Sequence, residues 1–161
     1  MRNKKAAFLT RAAMIAAVYV VLTYIANAFG LANGVIQVRL SEALTILPYF
    51  TPAAIPGVTA GCLLSNILTG CSLLDIIFGT AATLLGAVGS YLLRKIRWLV
   101  PLPPIIANTL IVPWVLRASY GVPDAYPYLM ATVGMGEIIS CGVLGMLLLF
   151  ALEKYKEQLF S

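Results

Sequence analysis

Read for hydropathy, the chain is a series of apolar runs broken by short polar stretches. A transmembrane helix needs about 20 apolar residues, and at least about 17. Six runs reach or approach that length, at approximately 12-29, 38-50, 53-68, 74-93, 102-116 and 128-152. Several are short for a full span, which predicts tilted or partly unwound segments, above all in the second run. The breaks GLANGVIQ (30 to 37), TGCSL (69 to 73) and RASYGVPDAYP (117 to 127) are rich in Gly, Pro, Asn and Asp, as loops are. Pro127 suits the first turn of the last helix. The pattern shows no internal repeat and no second domain. It predicts a single membrane domain over 1-161, an all-α bundle of six transmembrane helices.

Composition agrees. Of the 161 residues, 61% are hydrophobic and 11% are charged, less than half of the ~25% usual in a soluble domain. A soluble fold of this size has no way to hide so much apolar surface. The start MRNKKAAFLTRAAM resembles the charged region of a signal peptide, but the apolar run after it is too long, so it is expected to be a retained span. The net charge of +5 points to orientation rather than to nucleic acid, because the basic residues cluster at span ends. Arg2, Lys4, Lys5 and Arg11 precede the first run, Arg94, Lys95 and Arg97 separate the fourth from the fifth, and Lys154 and Lys156 follow the sixth. Six spans put all nine on one side, leaving Arg39 and Arg117 near the other. Both termini are therefore expected in the cytoplasm.

Chemistry is sparse. There is no histidine, which removes His-based triads and most zinc sites. Cys62, Cys71 and Cys141 lie far apart with no C-x-x-C pair, and read as small apolar residues. No P-loop is present, so any ATP-driven transport needs a motor on another chain. No cofactor, metal site or catalytic residue is expected.

A charge at mid-membrane costs about 2.5 kcal/mol or more on insertion scales, so it faces a cavity or a partner. Glu137 is the strongest candidate. It lies roughly 13 Å into the last span at 1.5 Å per residue, with no cation at i±3 or i±4. Gly134 and Gly136 beside it permit close approach of a ligand or helix. Arg39 and Glu42, three residues apart, would share a helix face, either as an ion pair that lowers the cost of insertion or as the wall of an outward-facing pocket. Asp75 follows Ser72 in a Ser-x-x-Asp pattern, which is either a capping box or a ligand contact near the outer surface. Asn66, Asn108 and Trp114 supply uncharged polar and aromatic company. Asn108 either glues helices together or, with a carboxylate and the Trp114 indole at similar depth, suits a flat heterocycle. Pro113 frees a backbone carbonyl nearby. Ala12, Ala13, Ala16 and Ala17 form two small-x-x-x-small pairs on the first span, a flat face for packing within the protein or for docking a membrane partner. Gly57-x-x-x-Gly61 is a weaker signal of the same kind.

With these features, the stretches IQVRLSEALTILPYFTPAAIPG, LLDIIFGTAATLLGA, PLPPIIANTLIVP and VGMGEIISCGVLG resemble the QueT family of queuosine-precursor transporters, among the S components of energy-coupling factor (ECF) transporters. The resemblance runs from about residue 8 to 154. It implies a prokaryotic multi-pass cell-membrane protein that binds queuine or prequeuosine, 7-deazaguanine bases, at the outer side. It implies as partners a transmembrane coupling protein, which docks on Ala12, Ala13, Ala16 and Ala17, and two cytoplasmic ATPases. The first outer loop, 30 to 37, would act as a lid. Within that frame Glu137 would read the guanine edge and Glu42 or Asp75 would meet the aminomethyl arm. An S component for another vitamin or purine-like solute, or a stand-alone secondary carrier, remains an alternative. An intramembrane enzyme is disfavoured, because no serine or cysteine has a His partner.

Overall fold

The computed structural model describes residues 3–32 and 34–160. Arg2, counted above in the charge bias, and Asn33 of the first outer loop lie outside the described residues. The chain opens with α1, Lys4–Ala28, whose first turn is capped by the Asn3 side chain accepting from the Lys5 backbone N–H at 3.1 Å. Its 25 residues reach about 37 Å at 1.5 Å each, longer than a ~30 Å hydrocarbon layer. The helix starts eight residues before the apolar run because Lys, Ala, Leu and Arg are strong helix formers whatever their polarity.

The second run is the unusual one. Leu40–Tyr49 forms ten residues of 3-10 helix, in the place where an unwound segment is predicted. Ten residues cover about 20 Å at a 3-10 rise of 2.0 Å, against ~15 Å in an α-helix. Every residue from Ser41 to Pro48 is buried, so this irregular backbone is shielded from lipid by neighbouring helices, as membrane structures require. The rest follows as α2 Ala54–Leu68, a π-helical turn Asp75–Gly79 running into α3 Thr80–Leu92, α4 Leu102–Tyr120, α5 Tyr126–Glu137, a second π-helical stretch Ile138–Leu144, α6 Gly145–Glu153 and the short α7 Lys156–Phe160. No strand occurs among the described residues. Among the described residues four helical segments are long and apolar enough to cross a membrane: Lys4–Ala28, Asp75–Leu92, Arg97–Tyr120 and Tyr126–Glu153. The second and third of the six predicted spans are the short ones, a 3-10 helix and the 15-residue α2.

The two small-residue motifs of the sequence meet each other. A side chain on Gly57 would lie 2.9 Å from the Ala12 carbonyl oxygen and from Ile15 Cβ. One on Gly61 would lie 2.6 Å from Tyr19 Cβ and 3.1 Å from the Ala16 carbonyl oxygen. Packing within the protein thus accounts for the Ala12–Ala16 side of α1, with Ala16 buried; Ala13 and Ala17 on the other side stay exposed.

One end of the bundle gathers the basic and aromatic residues. Arg97 pairs with Glu153 at 3.5 Å, the Tyr49 hydroxyl donates to Glu153 at 3.1 Å, Phe50 stacks on Phe160 with centroids 5.0 Å apart, and Trp98 meets Phe150 edge-on. Such a belt of aromatic and cationic side chains suits a membrane–water interface.

The α1–α2 contact yields a first prediction. Gly61→Ala should lower stability by about 1–3 kcal/mol through overpacking against Tyr19. An exposed change in the same helix, Leu64→Ala, should cost far less. Thermal unfolding in detergent compares the two, and an unaltered midpoint for Gly61→Ala would show that α1 and α2 are not in this register.

Candidate functional site

Five segments each send one polar side chain to the middle of the bundle. The 3-10 helix supplies Glu42, which is fully buried at 0% exposure. From α1 the Tyr19 hydroxyl donates to Glu42 Oε1, and from α3 the Thr83 hydroxyl donates to the same oxygen at 3.3 Å. From α4, Asn108 Nδ2 donates to Glu42 Oε2 at 3.4 Å and to Glu137 Oε2 at 3.2 Å. Glu137, the last residue of α5 and also buried, accepts in addition from the Cys141 thiol at 3.3 Å. One amide therefore spends its two N–H groups on two carboxylates. Of the two alternatives for Asn108, its contacts match helix glue: it bridges α4 to the 3-10 helix and to α5, and it does not line the cavity described below.

Arg39 and Glu42 do not form an ion pair: among the described residues no basic group lies within 4.0 Å of Glu42. Arg39 stands before the 3-10 helix in extended conformation, φ −101° and ψ 98°, so it does not share a helical face with Glu42. The segment before the helix is pinned to the last membrane segment instead. The Arg39 backbone N–H donates to Ser140 Oγ at 3.0 Å, and a Cβ on Gly136 would sit 2.1 Å from the Gln37 carbonyl oxygen. Gly136 does permit close approach, and what approaches is the backbone of the predicted lid segment.

At the end opposite the aromatic belt, above this network, lies a half-enclosed cavity of about 470 Å³. That is within the usual range for small-molecule sites. Arg39, Asp75 and Asn66 line it, together with Gln37, Asn27 and the rings of Tyr19 and Tyr120. The Arg39 side chain is surrounded at longer range by Asp75, Glu137 and Glu42. Asp75 is buried, and its Ser-x-x-Asp signature is half realised. Ser72 Oγ accepts from the Asp75 backbone N–H at 3.2 Å. The returning bond is relayed through α4, since the Ser72 N–H donates to Tyr120 Oη at 3.1 Å and that hydroxyl donates to Asp75 Oδ2, also at 3.1 Å. Capping and cavity-lining roles thus coexist in one residue. Asn66 holds the same turn, with Nδ2 3.4 Å from the Asp75 carbonyl oxygen.

Of the sequence candidates, Arg39, Asp75 and Asn66 line the cavity, while Glu42, Asn108 and Glu137 form the buried network beneath it. Trp114 joins neither. It is half exposed on the outside of α4, edge-on to Phe78 at 5.0 Å. The cavity's aromatic rings belong to Tyr19 and Tyr120, which the sequence reading passed over. A tyrosine deep in an apolar span needs a partner for its hydroxyl, and that rule would have singled out Tyr19. Cys141 also exceeds the filler role assigned to the cysteines, through its bond to Glu137.

Glu42, Glu137 and Cys141 bring ligating atoms within 4.8 Å of one another. The set mixes two hard carboxylates with a soft thiol. Asn108 aims its N–H donors at both carboxylates, an orientation set against a metal ion between them.

A polytopic bundle with a polar cavity at one end and buried charges beneath it is the architecture of a multi-pass membrane transporter. The family comparison agrees: the model of the QueT transporter family matches residues 9–154, and the chain belongs to that family. A curated relative, the queuosine precursor transporter QueT of Lactococcus lactis subsp. cremoris (strain MG1363), is 36% identical over 84 residues. The match covers 52% of this chain and 49% of the relative, so it spans about half of that protein's length. No solved structure matches the chain.

Two outcomes test this geometry. Asn108→Leu leaves two buried carboxylates short of a donor and should cost about 2–3 kcal/mol. The cost should shrink by about 1 kcal/mol in a Glu137→Gln background, a coupling that unfolding of the four-member mutant cycle measures. Gly136→Ala should dislodge the 34–39 segment, seen as faster amide hydrogen exchange there with α1 and α3 unchanged.

Proposed function

We propose that this chain is the solute-binding component of an ECF-type uptake transporter and that it captures a queuosine precursor, queuine or prequeuosine, in the cavity at Arg39, Asp75 and Asn66. The observation that carries the reading is that cavity, set in a member of the QueT transporter family and related to a protein named for queuosine-precursor transport. The cavity is lined by the C-terminal half of α1 and the end of α4, whereas Lys4 and Lys5 open α1, Arg94 and Lys95 stand between α3 and α4, and Lys156 follows α6. By the positive-inside rule the cavity end faces outward and both termini face the cytoplasm. The 3-10 helix and α2 then act as two shortened passes, which makes six membrane segments.

Energy coupling is carried by other chains, because no P-loop is present in this one. The exposed Ala13 and Ala17 leave a small-residue strip on α1 where a helix of the coupling protein packs closely, with Ala12 and Ala16 holding α1 against α2 behind it. The first outer loop, 30 to 37, is the lid, anchored where the Gln37 backbone lies on Gly136.

Uptake of labelled queuine and prequeuosine by cells expressing the chain, with and without the coupling protein and ATPases, tests the reading. Uptake that requires the full module is expected. Uptake by the chain alone, driven by a pH gradient, would establish a secondary carrier instead. Absence of uptake of either base under both conditions would remove the assigned solute.

A further inference from the structure

The bundle is not closed on every side. α1 packs on α2 and on the 3-10 helix, and α6 packs on the 3-10 helix from the other side. Between α1 and α6 runs an apolar groove of about 700 Å³. Its floor is the 3-10 helix, through Leu44 and Leu47, and its walls are Met14 and Val18 of α1 and Leu148 and Leu152 of α6. Met14 is 63% exposed and Val18 47%, so the groove is open to the bilayer. Irregular backbone at membrane depth needs cover. On this side of the 3-10 helix the cover is two leucine side chains and whatever fills the groove.

The groove is graded in polarity. Its deep end, at Val18, Leu44 and Leu148, is wholly apolar. Toward the start of α1 it is lined by Asn3, Thr10 and Arg11, with Lys4 and Lys5 exposed beside Asn3. The opposite lip is α7, whose Phe160 is held by its stack on Phe50 and whose Lys156 lies over the Tyr49 ring. Among the described residues no Asp or Glu lines the groove. Glu153 of α6 is engaged by Arg97 and Tyr49, and against these cations α7 sets one acid, Glu157. A cationic mouth on an apolar interior complements an anionic head on an apolar tail. Length agrees. From Asn3 to Val18 is 15 residue steps, about 22 Å at 1.5 Å each. One leaflet with its headgroup layer is about 20–22 Å thick, half of the bilayer's ~40–45 Å. A transmembrane helix would need a cleft through both leaflets, and this groove ends midway.

We propose that this groove is a binding site for one anionic phospholipid of the inner leaflet, with its acyl chains on Leu44, Leu47 and the facing walls and its phosphate beside Lys4, Lys5 and Arg11. The lipid completes the cover of the 3-10 helix that carries Glu42 into the buried network. The leaflet follows from the orientation given above. The outer cavity shares no residue with the groove, and Ala13 and Ala17 do not line it, so the site stands whatever the solute and beside any docking strip on α1.

The test uses the purified full chain, stripped of lipid in detergent, with phosphatidylglycerol and phosphatidylcholine of identical acyl chains. Native mass spectrometry gives stoichiometry and affinity, and thermal unfolding is read in parallel. Phosphatidylglycerol should fill one site about fivefold or more tighter than phosphatidylcholine, the worth of at least one interfacial cation, and should raise the unfolding midpoint further. Lys4→Gln and Lys5→Gln together, at two exposed positions, should remove most of that preference. Leu148→Trp, which fills the groove, should remove the site for both lipids. Equal binding of the two lipids by the unaltered chain would overturn the anionic assignment, and a preference that survives both variants would overturn the location. Equal stabilisation by glycerophosphoglycerol, which has no tails, would replace the lipid with a free phosphate ester. Dimers that form without regard to lipid would give the groove to a second copy, and stabilisation by the coupling protein but by neither lipid would give it to a partner helix. Either result overturns the proposal. The lysine variant decides the question even where Leu148→Trp fails to fold.

Discussion

The bond pattern around Asn108 is the constraint on which the interior depends. Two carboxylates, Glu42 and Glu137, sit in an apolar bundle with no counter-charge in contact among the described residues. A single amide ties them together, one N–H to each. Because the donors come from α1, α3 and α4 and the acceptors from the 3-10 helix and α5, each bond fixes one segment relative to another. In an apolar surround an unmet carboxylate is far costlier than in water, so this network fixes the register of five segments at once. The cavity above inherits its floor and part of its wall from that arrangement, since Tyr19 belongs to both.

Irregular backbone concentrates where the polar groups are. Glu42 stands in a 3-10 helix, Asp75 opens a π-helical turn and Glu137 is followed by another. Departures from α-helical winding of this kind recur at functional sites because they re-aim side chains that regular winding would point elsewhere. They are tolerated at membrane depth only where protein covers them. The continuous burial of Ser41 to Pro48 meets that condition. The price is a segment that depends on its neighbours for its shape.

Close backbone approach does the remaining positioning. Gly57 and Gly61 let α2 lie directly on α1, which sets Tyr19 beneath the cavity. Gly136 lets the Gln37 backbone lie on α5, which carries Arg39 to the cavity wall. In lipid, helices gain little from apolar contact alone, and small residues that admit dense packing take over that role. The same physics leaves Ala13 and Ala17 as the part of the α1 strip that is not consumed inside the fold.

Much of this was legible in the chain. Each of the six apolar runs falls on a helical segment, because the bilayer imposes a length on any run that crosses it; the early start of α1, the later end of α4 and the short α7 were not legible there. The shortness of the second run already announced departure from a plain α-helix. Charges in apolar surroundings, being costly, marked Arg39, Glu42, Asp75 and Glu137 as residues with a purpose. Pairings were not legible. Spacing along one strand of sequence suggested that Arg39 faces Glu42, but the extended backbone at Arg39 separates them and Glu42 turns to residues 23 before and 66 after it. Trp114 looked like a stacking ring, yet its place around the α4 axis gives it to the outside and gives Tyr120 to the cavity. The sequence by itself determined which residues had to be shielded from lipid, since that depends on each side chain's own solvation energy. Only the tertiary structure decided which of them face one another, since hydrogen-bond partners are set by the rotation and register of helices that are distant along the chain.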